Sequence, residues 1–416
     1  MAIHPSNLGR ISVAKQSAWG TKQTSFPAAS FAEVEVTMPQ LQREALMTEA
    51  FRGQFHSHRI KAGSREGTTV SLRMPMHGWS ASTPTADPSA SDQNVESILL
   101  EYAMGAVHFP DIMARTVSSA TTSQITVSDT MLNPDVGSAF MAQSNSGGTE
   151  HVIGFIKSMT GADNKELNLA TATSSAAYAT GAVYGSMTHY ISSSQPAQGL
   201  SLEYLGADST SRIILFDGCV SSLKITASPR QQPMLEAELH FADFEFMESG
   251  GNPGMYDFPL PQLPAAVGNN GTRMVLGGSV IDSISAEFTV TCEYAAIGNH
   301  SSSEGVSKYI ITNRTTQASV QIPASAITDA AIYAPGTALS QVQLDLNAHV
   351  PGSAVSILIP RALIESQSTL GDSEGIVAVT HNMIAAYYDD DASDGSVSSG
   401  SGSTTAADTV ARVALL

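Results

Sequence analysis

The chain has 416 residues, which is long enough to bury more than one hydrophobic core, so two or three domains are expected. Only 14% of the residues are charged, and the formal net charge is −18 at pH 7, a balance that repels free nucleic acid from most of the surface. No apolar run reaches the roughly 18 residues of a membrane span, and the opening MAIHPSNLGR lacks the order of a signal peptide, so a soluble protein is expected.

The first half predicts a strand, a helix and two closing strands, in that order. Apolar and polar residues alternate over 70–76, which is the pattern of a half-buried strand. A helix follows from about Asp92, with one apolar face and Gly105 as its stop. Alternating segments at 223–227 and 235–241, joined by the turn SPRQQP, predict the closing strands.

A block at 115–190 interrupts this arrangement between the helix and the closing strands. Short strands are predicted near 125–127, 140, 152–156 and 167–169, separated by the turn sequences NPDVGS, NSGGTE and TGADNK. Insertions at loop tips are tolerated because few long-range contacts lie there. We therefore expect a small all-β module that projects outward and can be deleted without loss of the surrounding fold.

The second half repeats the order of the first. Alternation over 288–292 predicts a strand, and a capping box at 301–304 predicts a short helix with its buried face over 306–310. Closing strands are predicted at 355–359 and 376–387. The repeat indicates two tandem sandwich domains, each with a flanking helix.

The repeat and the composition together divide the chain into five parts. The divisions are a discontinuous first domain at 1–114 and 191–250, the module at 115–190, a linker at 251–274, a second domain at 275–390 and a Ser/Gly-rich tail at 391–416.

A search for reactive residues finds no catalytic constellation. The sequence holds no P-loop, GxSxG, HExxH or CxxC motif. Cys219 and Cys292 lie inside strand patterns and are expected to be small buried residues. His56 and His58 supply only two of the about four donors that a structural metal needs, and the acidic run at 389–394 opens a Ser/Gly stretch typical of a solvated linker. We predict no catalytic residue, no cofactor and no metal site.

Several segments, taken in order, resemble the tail tube proteins of long-tailed, siphovirus-like bacteriophages. The resemblance covers most of the chain and is carried by QSAWGT, AEVEV, REGTTVSLRMPMHG, GCVSSLKITASPRQQPMLEAELHF, SAEFTVTCEY and SILIPRALIESQ. It implies a β-sandwich with a flanking helix, whose subunits close into a ring with an inner β-barrel. It also implies that rings stack into a tube that delivers DNA to the host cell.

The resemblance further implies partners and a location. The chain would assemble with itself in the host cytoplasm, meet the tape measure, terminator and distal tail proteins, and end in the virion tail. DNA would pass through the lumen without specific binding, with no membrane and no enzymatic activity involved. Two tube domains per chain imply a trimeric ring with pseudo-sixfold symmetry; a hexamer is the alternative if the chain holds a single tube domain.

Other classes remain open at this stage. A surface adhesin with β-sandwich repeats expects an export signal, and a capsid, decoration or baseplate protein would form shells or caps in place of hollow tubes. A β-sandwich enzyme acting on carbohydrate needs a carboxylate pair in a cleft, which the sequence does not indicate.

Two surfaces are predicted for assembly. Residues 1–80 hold nine Lys or Arg against five Asp or Glu, and a long loop at 40–66 gathers most of these cations together with two aromatic residues. Long loops are usually functional, so this loop is predicted to contact the acidic face of the next ring; the alternative is a twisted hairpin that covers its own sandwich. The residues concerned are Arg43, Phe51, Arg52, Phe55, Arg59, Lys61 and Arg65. The predicted lumen-facing residues are Glu236, Glu238, Glu287 and Glu293.

Overall fold

The computed structural model is mainly β, as the sequence predicts, with one α-helix in the part of the chain that it describes. It describes residues 10–23, 26, 31–32, 35–36, 43–49, 58–65, 67–79, 86–112, 115–131, 135–143, 151–169, 183–205, 212–247, 272–298, 306–324, 334–339, 341–346, 351–373, 375–386 and 410–416.

The elements of the first half, in chain order, are β1 (Arg10–Lys15), β2 (Phe31–Ala32), β3 (Glu35–Val36), β4 (Arg43–Glu49), β5 (His58–Arg65), β6 (Thr68–Pro75), α1 (Val95–Met104), β7 (Gly105–His108), β8 (Val117–Ala120), β9 (Gln124–Val127), β10 (Ala139–Gln143), β11 (His151–Thr160), β12 (Glu166–Leu169), β13 (Val183–Tyr184), β14 (Met187–Ile191), β15 (Leu200–Leu205), β16 (Arg212–Ala227) and β17 (Met234–Met247). Short 3₁₀ turns lie at Ala90–Asp92 and Ala162–Asn164.

The elements of the second half are β18 (Arg273–Leu276), β19 (Ser279–Ile281), β20 (Ser285–Gly298), β21 (Val306–Pro323), β22 (Ala338–Leu339), β23 (Val342–Leu346), β24 (Val355–Ile359), β25 (Ala362–Ile364), β26 (Thr369–Ser373), β27 (Ile376–Ala385) and β28 (Arg412–Leu415).

These strands form four antiparallel sheets. The large sheet has 13 strands, the middle sheet has seven in the order β19-β18-β23-β24-β28-β14-β7, and the module sheet has six in the order β13-β10-β11-β12-β9-β8. Strands β4 and β5 pair only with each other among the described strands. The large and middle sheets share the main hydrophobic core with α1.

The large sheet branches because β16 changes partner along its length. On one side, β16 pairs with β17 along the whole length of β17. On the other side, the first part of β16 pairs with β15 and residues 222–227 pair with 286–291 of β20. The sheet therefore runs without interruption across the predicted boundary between the two tube domains.

A continuous run of eight strands crosses the large sheet in the order β3-β6-β17-β16-β20-β21-β27-β26, and we call it the strand run. Each half of the chain supplies four of its strands. In each half the four strands, numbered by their order in the chain, lie side by side in the sheet in the order first, second, fourth, third. By this order β20 is the counterpart of β3. The sequence predicts β20 as the counterpart of β6, so the expected alignment of the two halves is corrected.

Helix α1 forms as the sequence predicts. The Asn94 side chain caps its first turn by accepting a hydrogen bond from the backbone N–H of Ser97 at 2.9 Å. Gly105 ends it with φ 104, and its N–H donates to the carbonyl of Glu101. That left-handed conformation favours glycine, which explains the stop.

The predicted second helix is wrong. Residues 306–310 begin β21, which pairs with β20 along nearly its whole length. Tyr309 is buried there against Trp19, His240 and Tyr294, with ring centroids 5.3–6.3 Å apart. The partner strand and this aromatic cluster override a weak helical pattern, and the predicted capping residues at 301–304 lie outside the described part of the chain.

The inserted block forms its own sheet, with strands β8 to β13 and a separate hydrophobic core. Its other face is not free. Phe155 and Met141 share a second buried cluster with Leu358, Ala414 and others from the middle sheet. His108 also bonds Asp135 across this junction at 2.9 Å. The expectation that the module can be deleted without harm is therefore corrected, because deletion would expose apolar side chains of the middle sheet. Its outward projection stays a prediction.

The last strand departs from the predicted Ser/Gly-rich tail. β28 lies between β24 and β14 inside the middle sheet, and all of its residues are buried. Its sequence RVAL is apolar apart from Arg412, so the strand suits a sheet that is covered on both faces.

Candidate assembly surfaces

The strand run has one buried face and one polar face. In β6, residues 68–75 alternate between buried and exposed positions, except that Pro75 is half-buried. Directly paired residues share a face, so the registers extend this alternation from strand to strand. One row crosses five strands as Arg73, Glu236, Lys224, Thr289 and Gln317.

A second row runs parallel to the first on the same polar face. It places Glu287 opposite Ser319, and Ser319 opposite Asn382. The Ser319 hydroxyl donates to the Asn382 side chain at 2.9 Å, and the Gln317 amide donates to both carboxylate oxygens of Glu365 at 3.0 and 3.1 Å. Polar side chains thus cover most of this face in both halves of the chain, although the first row continues from Gln317 to the apolar Ile384.

All four predicted lumen residues lie on this polar face. Glu236 and Glu238 alternate along β17, and Glu287 and Glu293 along β20. Their shared face follows from the period-2 pattern that suggested them. Their position facing a lumen stays a prediction.

Two of these carboxylates are paired with cations that the sequence did not single out. Arg73 Nε lies 3.1 Å from Glu236 Oε1, and Lys224 Nζ lies 2.7 Å from Glu287 Oε2. Both pairs are partly exposed, so each contributes at most about 1 kcal/mol. Glu238 and Glu293 are exposed, which leaves the face acidic overall. The exposed alternating positions of β6 and β16 were the sequence signal for Arg73 and Lys224.

Both ends of the strand run are open edges in the described part of the chain. At one end, β6 is covered only by the two residues of β3, opposite Leu72 and Arg73. At the other end, β26 pairs with β27 and with no other described strand. Unpaired strand edges are templates for pairing with another chain.

Exposed apolar side chains lie at the β26–β27 hairpin, with Leu370 and Val377 on one face and Ile376 on the other. Leu370, Ile376 and Val377 are 52%, 52% and 48% exposed, which makes them half of the six large exposed apolar residues found in the described chain. Clustered exposed apolar groups mark interaction sites, whereas scattered ones need no explanation. The edge and its exposed apolar side chains together define the best candidate for contact with a second subunit.

The predicted assembly loop is partly a β-hairpin. β4 and β5 pair in antiparallel register, with Arg43 opposite Arg65, Thr48 opposite Arg59 and Leu46 opposite Lys61. The expectation of an irregular loop at 40–66 is therefore corrected, since both arms pair as strands. The predicted contact residues Phe51, Arg52 and Phe55 lie outside the described residues, as does His56 of the histidine pair. The role of the hairpin in stacking stays a prediction.

A polar network that is partly buried ties α1 to the strands around it. Lys15 Nζ donates to Glu101 at 2.6 Å and to Gln93 at 2.8 Å, and the Gln93 amide donates to Ser97 Oγ at 3.1 Å. Ser97 Oγ lies 2.9 Å from His189 Nε2. These bonds satisfy side chains that are costly to bury alone.

His189 ends this network in a neutral form. Its Nδ1 lies 3.3 Å from the carbonyl oxygen of Val413, which can only accept, so Nδ1 carries the proton and Nε2 accepts from Ser97. Complete burial lowers the pKa of His189 from 6.5 to about 4. The network therefore serves packing between α1, β14 and β28.

We expect the free energy of unfolding to fall as the pH drops from 6.5 to 4. The pKa of His189 is depressed to about 4 in the folded state, so between pH 6.5 and about pH 4 the unfolded chain binds more protons than the folded chain. The folded state therefore loses stability over that range. The loss amounts to about 3 kcal/mol, from 1.36 kcal/mol per pKa unit. Urea unfolding at pH 7, 5.5 and 4 measures it for the wild type and for His189→Gln, whose profile should be flatter. Parallel profiles would contradict the assignment.

The two cysteines are free and buried, as predicted. Burial raises the pKa of Cys219 to about 12 and that of Cys292 to about 11, so both stay protonated thiols. In the described residues, no group of three or more His, Cys, Asp or Glu side chains is placed to hold a metal ion. The described helix is too short to span a membrane.

No protein-family model matches this chain, and a comparison with curated proteins returns no significant match. We therefore infer function from the strand run, its two open edges and the hairpin.

Proposed function

We propose that this chain is a structural subunit that assembles with copies of itself into a ring around a hollow axis. The observation that carries the proposal is the strand run, which has one mostly polar face and ends in two edges that are open among the described strands. The buried face is already covered by the middle sheet and α1. Closing the run into a barrel therefore turns the polar face inward and leaves the middle sheet outside.

Ring closure joins the β26 edge of one copy to the β3 and β6 edge of the next. The two edges are different surfaces, so the contact is head-to-tail, and a head-to-tail contact that closes gives a ring. Pairing removes both open edges and covers Leu370, Ile376 and Val377. The same four-strand order occurs twice in the chain, so three copies supply six such units. This count favours a trimer with pseudo-sixfold symmetry over a hexamer.

Stacked rings form a tube, and we assign this tube to the tail of a long-tailed bacteriophage. The sequence resemblance supports the assignment, and so does an acidic polar face that repels DNA phosphates and lets DNA slide. The subunit has no catalytic role in this proposal. Its partners are other copies and the tape measure, terminator and distal tail proteins, and it is assembled in the host cytoplasm before it joins the virion tail.

Negative-stain electron microscopy of the purified protein at high concentration tests this function. We expect rings and short tubes with a stain-filled axis. Closed shells or caps would favour a capsid, decoration or baseplate protein. Isolated monomers at high concentration, also with tail-assembly partners present, would overturn the proposal.

Replacing Arg52, Arg59 and Lys61 with Glu should allow rings but prevent their stacking. The hairpin is a basic segment on an acidic chain, so its partner in the next ring is expected to be acidic. Charge contacts at a surface are screened within about 10 Å at 0.1 M ionic strength, so the defect should be greatest at low salt. Tube length in micrographs is the measurement.

A matched control changes the net charge equally at positions outside the hairpin. The control residues are Lys157 on β11, Lys165 directly before β12 and Arg230 in the β16–β17 turn. Their replacement with Glu should leave tube length unchanged. Tubes of normal length from the hairpin variant would show that residues 40–66 do not join the rings.

A further inference from the structure

Three side chains with complementary chemistry meet beside α1. Lys15 is the last residue of β1, Gln93 lies just before the helix and Glu101 lies within it. Lys15 Nζ is 2.8 Å from Gln93 Oε1 and 2.6 Å from Glu101 Oε2. Gln93 Nε2 is 2.7 Å from the same Glu101 oxygen. One carboxylate oxygen therefore contacts both the lysine nitrogen and the amide nitrogen of the glutamine.

The surrounding hydrogen bonds fix the direction of the Gln93 carboxamide. Its Nε2 donates to Glu101 and, at 3.1 Å, to Ser97 Oγ, so both acceptors lie on the helix. Its Oε1 accepts from Lys15. Gln93 is only 8% exposed, and the side chains of Lys15 and Glu101 are 25% and 24% exposed. The carboxamide carbonyl is thus held against the lysine nitrogen in a site that is largely closed to water.

A lysine nitrogen, a carboxamide and a bridging carboxylate are the parts needed for a transamidation. Glu101 accepts a proton from the Lys15 ammonium, and the freed amine attacks Gln93 Cδ. Glu101 passes that proton to Nε2 as the Cδ–Nε2 bond breaks, and ammonia leaves. The new Nζ–Cδ amide loses its second proton through Glu101, and the ammonia carries this proton away as ammonium. The reaction needs no oxidant, reductant or other reactant.

We propose that Lys15 and Gln93 become joined by an isopeptide bond, with Glu101 as the catalytic residue. The fold holds the reacting groups together for the lifetime of the protein, and well-oriented groups react as if at effective concentrations of about 10⁵–10⁸ M. One turnover per chain is enough. The bond ties β1 to the start of α1 across 78 positions of sequence. It forms within one copy, so the inference does not depend on ring or tube formation.

Mass spectrometry of the purified full-length protein tests the bond. We expect an intact mass that is lower than the mass of the sequence by one ammonia. Trypsin should not cleave after a linked Lys15, so residues 11–22 and 74–115 should be recovered together as one branched peptide. An intact mass equal to that of the sequence, with the two peptides recovered separately, would overturn the proposal. The wild-type result decides this without any variant.

Two variants test the roles of the residues, with circular dichroism to report the fold. Glu101→Gln keeps the size of the side chain but removes the base, and Lys15→Arg removes the nucleophile, so both should keep their full sequence mass. Lys22→Arg is the matched control, because Lys22 contacts a different carboxylate, that of Glu245 at 2.8 Å, and it should still lose ammonia. Ammonia loss in Glu101→Gln would overturn the catalytic role of Glu101. Full mass in Lys22→Arg would overturn Lys15 as the nucleophile.

Discussion

Leu370→Lys combined with Val377→Lys should weaken self-assembly while leaving the monomer folded. Both side chains are about half exposed at the β26–β27 edge, so the substitutions remove little burial from the isolated subunit. Lysine on a strand edge opposes pairing with another chain, since its charge must be desolvated when the edge is covered. We expect the association constant to fall at least about tenfold, which corresponds to about 1.4 kcal/mol per contact.

Sedimentation velocity over a range of concentrations measures the loss of assembly, and circular dichroism reports the fold. Val280→Lys is the matched control, since Val280 is 64% exposed on β19 at an edge of the middle sheet. It should assemble as the wild type does. Loss of assembly in the control, or its persistence in the double variant, would show that the β26 edge is not the ring contact.

Leu415→Ala should destabilise the fold by about 3 kcal/mol. Leu415 is fully buried in β28 and pairs with Met187 on one side and Val355 on the other. Truncating a buried leucine costs about 2–5 kcal/mol through lost burial and the cavity left behind. Urea unfolding at a concentration below assembly measures the change.

Leu370→Ala provides the comparison, because the same substitution is made at a side chain that is 52% exposed. It should cost less than about 1 kcal/mol, as exposed positions do. Equal losses for Leu415→Ala and Leu370→Ala would mean that β28 does not hold the two halves together as its burial implies.

The elements that sequence predicted best have strong local signals. Alternation over 235–241 and 288–292 gave strands and their buried faces, because one face of each meets the core. Asn94 and Gly105 bounded the helix through cap chemistry that acts within a single turn. The same period-2 pattern placed the four lumen candidates on one face of the sheet.

The features that sequence missed depend on distant partners. The start of β21 carries apolar spacing that suits either a helix or a strand, and only its pairing with β20 decides between them. β28 is a short apolar segment after a Ser/Gly-rich stretch, so nothing local indicates that it enters a sheet between β14 and β24. The ion pairs of Glu236 and Glu287 likewise depend on cross-strand registers that no local pattern gives.

The equivalence of the two halves was visible only in part. Alternation over 70–76 predicts β6 as the first strand of its half, whereas the two-residue strand β3 precedes it. Strand order in the sheet shows that β3 and β20 hold the same place. The hairpin of β4 and β5 lies between β3 and β6 in the chain, which is why that segment looked like a long loop.

A cryo-electron microscopy reconstruction of the assembled particles tests the central claim most directly. It would locate the strand run relative to the particle axis. We predict a hollow channel walled by strands β3 to β26 of successive copies, with the faces bearing Glu238 and Lys224 toward the axis and the module outside. A particle without a channel, or a channel whose wall is formed by the module or the middle sheet, would contradict the account.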